Sequence, residues 1–171
     1  DLTVTGVQTC ALPILSAMEI SLAYIIGGTV RGTVNGILVM LLGVVLIDMP
    51  VHQPLATIGF IVMVSWAFAS MGLVLGQLSD SWDQLAMMQN FFLTPLSFLG
   101  GVFYSVNMLP DWAQTLSFFN PIYYMINGIR FTILGVADSP PMTSFTMALI
   151  MTIFFSVSAI ILMHSGRKIK Q

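Results

Sequence analysis

The chain has 171 residues, 57% of them hydrophobic and 7% charged, with a mean hydropathy of +0.93 and a formal net charge of −2. A soluble domain is about a quarter charged, so this composition belongs to an integral membrane protein. Its five basic residues leave no basic surface for nucleic acid.

Residues 1–14, DLTVTGVQTCALPI, lack an initiating Met, the basic start of a signal peptide and a helix cap. They resemble translated sequencing-adapter read-through at the edge of an assembled fragment, the other reading being a genuine loop, and they are expected to be a non-native leader outside the fold. Cys10 is the only cysteine and falls inside this stretch, so no disulfide, thiol nucleophile or cysteine metal site is expected.

Ser16 and Glu19 form an S-x-x-E capping box, with Leu15 and Ile20 placed as its hydrophobic staple. A helix is predicted to start at Ser16, to cover residues 15–22, and to run into a first membrane segment over 22–47 whose only charge is Arg31. IDMPVHQP breaks it, and Pro54 suits the first turn of an uncharged second segment, 55–78. Ser81 and Gln84 offer another capping box for a third uncharged segment, 84–109. Pro95 should kink that segment and free a carbonyl, with Thr94 and Ser97 near enough to compensate.

A fourth apolar window carries an Asn-Pro break. Asp111 with Gln114 is expected to cap a short helix that Asn120-Pro121 ends, and Pro121 to open a second short helix. Asn127, Gly128 and Arg130 are costly at mid-membrane, so residues 111–137 are predicted to dip in from outside and return; a kinked span is the alternative. The last segment, 142–163, leads into a tail, 164–171, holding Arg167, Lys168 and Lys170. That tail is predicted to be cytoplasmic by the positive-inside rule, which makes the last helix run from outside to inside and puts Arg31 in the inner half of its helix if the fourth window stays outside. The expected fold is an all-α integral membrane protein with four transmembrane helices and a re-entrant extracellular helical hairpin, preceded by a cytoplasmic coupling helix.

The stretch LTPLSFLGGVFYSVNMLPDWAQTLSFFNPIYYMINGIRFTILG resembles the signature region of ABC-2 type permeases, the membrane subunits of exporters for drugs, lipids and polysaccharides. Asn120, Pro121 and Tyr124 stand on the family's NP-x-x-Y pattern, with Arg130 as its terminal arginine. LSAMEISLAYIIGGTVRG is similar to the family's coupling helix entering its third membrane helix, which assigns ATPase coupling to Leu15, Ser16, Ala17, Met18, Glu19 and Leu22. Such permeases have six membrane helices, and the likeness covers residues 15–171 only, so this chain is expected to be a C-terminal fragment without the first two. The resemblance implies a permease homodimer in the bacterial cytoplasmic membrane, in contact with lipid and driven by an ATP-binding subunit that holds ATP and magnesium. The chain has no G-x-x-x-x-G-K-[ST] motif, so no cofactor and no catalysis are expected within it.

Several residues carry two readings each. Gly28, Gly32 and Gly36 recur at the spacing that lets membrane helices approach, as do Ser65, Ala69, Gly72 and Gly76; each set reads as packing within one subunit or as a dimer interface. Asn90, Thr94, Ser97, Gly101 and Ser105 give the third segment a polar or small face that either lines a substrate path or bonds between helices. Arg31 is a functional candidate at membrane depth, whether for anionic headgroups or for a structural contact, while Arg130 fits a helix C-terminal dipole. An intramembrane enzyme would need a base or metal ligands at depth, but His52 and His164 lie at segment ends; no metal site is expected, and a structural membrane protein remains the other alternative. Substrate identity among drug, lipid and glycan is open.

Overall fold

The computed structural model describes residues 16–165, all of whose regular elements are helical. The leader, Leu15 and the basic tail lie outside the described residues. Helix α1, Ala17–Ile47, is one unbroken rod of 31 residues, about 46 Å long at 1.5 Å per residue. Its first turn carries the expected capping box: the Ser16 amide donates to Glu19 Oε2 at 2.7 Å, and the Glu19 amide donates to Ser16 Oγ at 3.2 Å. Helix α2, Pro54–Leu78, begins on Pro54, whose missing N–H costs nothing in a first turn. Helix α7 is Pro141–His164. α1, α2 and α7 are the helices long and apolar enough to cross a membrane.

Glycine determines how α1 meets α2. A Cβ added at Gly28 would lie 2.8 Å from Ala69 Cβ, at Gly32 2.9 Å from Ser65 Oγ, and at Gly36 2.8 Å from Ile61 Cγ2. The two helices therefore run antiparallel at a separation that only glycine permits. Ser65 and Ala69 are the other half of that seam, whereas Gly72 and Gly76 have nothing within 4 Å of an added Cβ. Against α7, α2 runs parallel: Thr152 Oγ1 approaches the Met63 carbonyl at 3.5 Å, the Trp66 indole donates to Ser156 Oγ at 3.0 Å, and Gln77 Nε2 reaches the Ala159 carbonyl at 3.4 Å. Ile25, Val74 and Ala159 form one buried cluster between these three helices.

The third segment departs from its expected form. Instead of one helix over 84–109 it comprises α3, Trp82–Met88, a π-helical turn, Gln89–Leu93, and α4, Thr94–Leu99. Pro95 cannot sit under the carbonyl four residues back, and the wider turn absorbs the conflict. The Thr94 amide bonds to the Gln89 carbonyl, while Thr94 Oγ1 and Ser97 Oγ donate to the carbonyls of Gln89 and Leu93 at 3.4 and 2.8 Å. The helix stops ten residues before Leu109 because Gly101 turns the chain at φ +79°. Ser81 Oγ does accept from the Gln84 amide at 3.2 Å, but the Gln84 side chain accepts from Asp80 at 2.7 Å, so the second box is displaced by one residue.

Two short helices follow, α5, Asp111–Phe118, and α6, Pro121–Leu134. Pro110, not Asp111, is the cap residue of α5, and no side chain caps it; Gln114 Nε2 instead holds the Leu109 carbonyl at 2.8 Å. Asn120 caps α6 by accepting from the Ile122 amide at 3.0 Å. α6 sits against α2 and α7 through Phe60 and Met125, with Ala67 and Ala148 in the same cluster. The closest approach is at Gly128, where a Cβ would stand 2.2 Å from the Phe60 ring. Gly128→Ala should thus destabilise the full-length protein by about 1–3 kcal/mol, seen as a lower melting temperature in nanodiscs and largely reversed by Phe60→Leu. Gly59→Ala, with open space around it, should not lower the melting temperature.

Candidate functional site

Residues 105–138 leave and rejoin the bundle at one point. Asp138 accepts from Ser105 Oγ at 2.8 Å, from the Val106 amide at 3.3 Å and from Asn107 Nδ2 at 3.4 Å. On its other side it pairs with Arg130, Nη1 to Oδ2 at 2.8 Å, with the two side chains 20% and 9% exposed. Arg130 Nη2 donates to the carbonyls of Gly101 at 2.5 Å and Tyr104 at 3.3 Å. The guanidinium thus holds the turn that ends α4 rather than its own helix terminus. Desolvating such a pair is compensated when further donors and acceptors are also used, and here Nη2 of Arg130 and both oxygens of Asp138 take additional partners.

A second polar layer supports the first. Asn127, buried on α6, accepts from the Asp138 amide at 2.8 Å, and its Nδ2 donates to Ser139 Oγ at 2.8 Å and Ser144 Oγ at 2.9 Å. The same end of α6 is bound to the start of α2, where the amides of His52 and Gln53 donate to the carbonyls of Ile133 and Thr132 at 2.8 and 3.0 Å. Gly135 ends α6 at φ +72° with the His52 ring 3.5 Å from its Cβ position. The start of α2, the end of α6 and the start of α7 therefore lie at one level. Asp138 was not singled out in the sequence, where an acid eight residues beyond an arginine in an apolar window was the available signal; Ser105 was read only as part of the third segment's polar or small face, and Asn127 only as costly at membrane depth.

At the other end of the hairpin, Asn120 Nδ2 donates to the Leu96 carbonyl at 2.5 Å, and Ser117 Oγ to the Leu99 carbonyl at 2.8 Å. These bonds dock the hairpin on the last turn of α4, where the Leu96 carbonyl also accepts from the Gly100 amide at 2.8 Å. Tyr124 Oη donates to the Phe118 carbonyl at 2.9 Å, tying α6 back to α5.

Asn90, Thr94 and Ser97 are brought together with Gln89, Phe98 and Phe103 around an open groove of about 430 Å3. Gly101 and Ser105, expected on the same face, belong to the turn beyond it and serve the Arg130–Asp138 clamp. Arg31 is elsewhere: it is exposed on α1, and no acceptor meets it among the described residues. In the first turns of α1, Met18 is exposed and Ala17 and Leu22 are half-buried, with Ser21 fully buried behind them. Leu15 lies outside the described residues. No cluster of three metal-ligating side chains occurs among the described residues.

The model of the ABC-2 type transporter family matches residues 6–134. The chain belongs to that family. It is 35% identical over 147 residues to the inner membrane transport permease YadH of Escherichia coli K12, an alignment covering 86% of this chain and 57% of the relative. It is also 39% identical over 69 residues to nodulation protein J of Rhizobium leguminosarum bv. viciae, covering 40% of this chain and 27% of the relative, and 32% identical over 75 residues to that of Rhizobium meliloti, covering 44% and 29%. No solved structure matches. The chain spans somewhat more than half the length of YadH, within a family of membrane-integral transporter permeases.

The clamp generates a prediction. Asp138→Asn should destabilise the full-length protein by about 3 kcal/mol, as expected when one partner of a buried pair is left uncompensated, and should speed amide hydrogen exchange over residues 101–107. Adding Arg130→Gln to that variant should restore part of the loss in melting temperature.

Proposed function

We propose that the chain is part of the membrane-spanning permease of an ATP-driven ABC exporter that moves drug, lipid or glycan-type cargo across a bacterial cytoplasmic membrane. The permease contributes no catalytic group. A separate ATP-binding subunit binds ATP and magnesium, and two permease copies surround the path. Membership in the ABC-2 family carries this reading.

The topology proposed is four membrane helices, α1, α2, the interrupted α3–α4 and α7, with α5 and α6 as a hairpin that enters and returns on the outer side. Two observations support it. Ser105 and Asp138, at the two ends of the hairpin segment, are hydrogen-bonded at 2.8 Å, whereas the ends of a spanning segment stand about 30 Å apart. And α7 runs parallel to α2: if α3–α4 crosses once between them, a further crossing would make the two antiparallel. With the basic tail in the cytoplasm, α1 begins on the cytoplasmic side.

The coupling element is the capped start of α1. No break separates Ser16 from the part of α1 that packs along α2, so a push on the first turn is transmitted as movement of a rigid rod. Met18 is exposed there, next to the capping pair, and is proposed to seat in the ATPase. Met18→Asp leaves Ser16 and Glu19 in place. The full-length variant should insert normally, retain less ATPase on co-purification and lose export-coupled ATP hydrolysis; wild-type levels of all three would remove this helix from the coupling contact.

A further inference from the structure

The two arginines among the described residues are treated in opposite ways. Arg130 is met by a carboxylate and two carbonyls. Arg31 is met by nothing among the described residues, although it lies midway along an apolar helix whose only other charge is Glu19 in the first turn.

Its depth follows from the glycine seam. Gly28 opposes Ala69 and Gly32 opposes Ser65 on antiparallel helices, which sets Arg31 level with Trp66. Trp66 is the central residue of the 25 in α2, a helix of about 37 Å. Arg31 therefore stands near the middle of a core of about 30 Å, farther from either headgroup layer than an arginine side chain is long. Snorkelling to lipid phosphate does not reach it from there. A charge at this level in bare hydrocarbon costs about 2.5–3.5 kcal/mol on insertion scales, so the flank that carries it faces protein or water. Two polar side chains lie on that flank, among exposed apolar ones such as Val34 and Leu38. Tyr24, two turns before, and Asn35, one turn after, share it by helical spacing, and both are exposed and without hydrogen bonds among the described residues.

We propose that Arg31 is an anion site at mid-membrane, facing a water-accessible crevice and receiving the phosphate or carboxylate of an amphiphilic cargo, with Asn35 and Tyr24 as neutral donors above and below. This rests on the transport reading and narrows it: the cargo is acidic. The guanidinium gives a bidentate, always charged contact to a planar carboxylate or a phosphate, and a crevice open to water on one side lets the anion leave again.

The test uses the full-length permease in nanodiscs of zwitterionic phosphatidylcholine and two fluorescent amphiphiles with the same tail, one headed by a phosphate monoester and one by uncharged glycerol. The wild type should bind the phosphate amphiphile about tenfold more tightly, the effect of one charge-assisted contact. Arg31→Gln should bind the two alike, and Arg31→Lys should keep most of the preference. A wild type without preference, or an Arg31→Gln variant that keeps it, overturns the site. So does an Arg31→Gln variant that loses both amphiphiles together and melts lower, because that is the signature of an ion pair with an acidic residue of another segment. ATP-dependent export with the ATPase subunit, measured in proteoliposomes on the same two amphiphiles, separates the two ideas. Export of both without regard to charge overturns the anion site alone, and absence of any export overturns the transport reading.

Discussion

The Arg130–Asp138 pair is the fastening on which the hairpin end of the molecule depends. Asp138 accepts from Ser105, Val106 and Asn107 while Arg130 offsets its charge, and Arg130 also holds the Gly101 and Tyr104 carbonyls in the turn that follows Leu99. Without the pair, the turn over 101–107 would have unpaired backbone groups at the rim of an apolar bundle, which is costly where water is scarce. The pair thus ties together the turn after α4, the start of the hairpin and the approach to α7.

From that fastening the remaining architecture follows by packing. α6 is held at one level with the starts of α2 and α7, so Gly128 comes under the Phe60 ring. Below it, α2 carries a parallel neighbour bonded through Trp66 and Ser156 and an antiparallel neighbour seated on Gly28, Gly32 and Gly36. The seam uses glycine because apolar helices gain nothing from hiding from lipid; close van der Waals contact is the available attraction. α1 then has one flank committed to α2 and the other, with Arg31, left facing outward. In the function proposed above, the stiff α1 rod would be both the link to a motor and the wall of a path.

Much of this was legible in the sequence. Hydropathy located the long helices within a residue or two at Pro54 and at both ends of α7, because apolar length is the strongest signal a membrane protein carries. The Ser16–Glu19 box and the Asn120-Pro121 break are short-range chemistry, and both occur where the residues implied. What failed was decided at long range. The turn after Leu99 is held by an arginine 31 residues beyond it, and Asp111 does not cap because α5 begins on it and Pro110 takes the cap position, with Gln114 on the Leu109 carbonyl. The glycine stripe was recognisable as a packing face, but its partner became apparent only with Ala69, Ser65 and Ile61 opposite. Gly72 and Gly76 have the same spacing and touch nothing, so spacing alone does not select a contact. Asn90, Thr94 and Ser97 do share a face, yet the face was cut short by the turn that Arg130 holds.

The central claim is that the segment between Ser105 and Asp138 returns to the side it left. The most direct measurement places single cysteines at Met108 and Val136, both exposed and outside the clamp, and at Trp82, 87% exposed at the opposite end of α3–α4, in a cysteine-free full-length permease in intact cells. An impermeant thiol reagent added outside should label positions 108 and 136 and leave 82 unlabelled until the membrane is opened. Labelling of 108 and 136 from opposite sides would mean that the hairpin segment spans the bilayer, and the account built on the Arg130–Asp138 fastening would be contradicted.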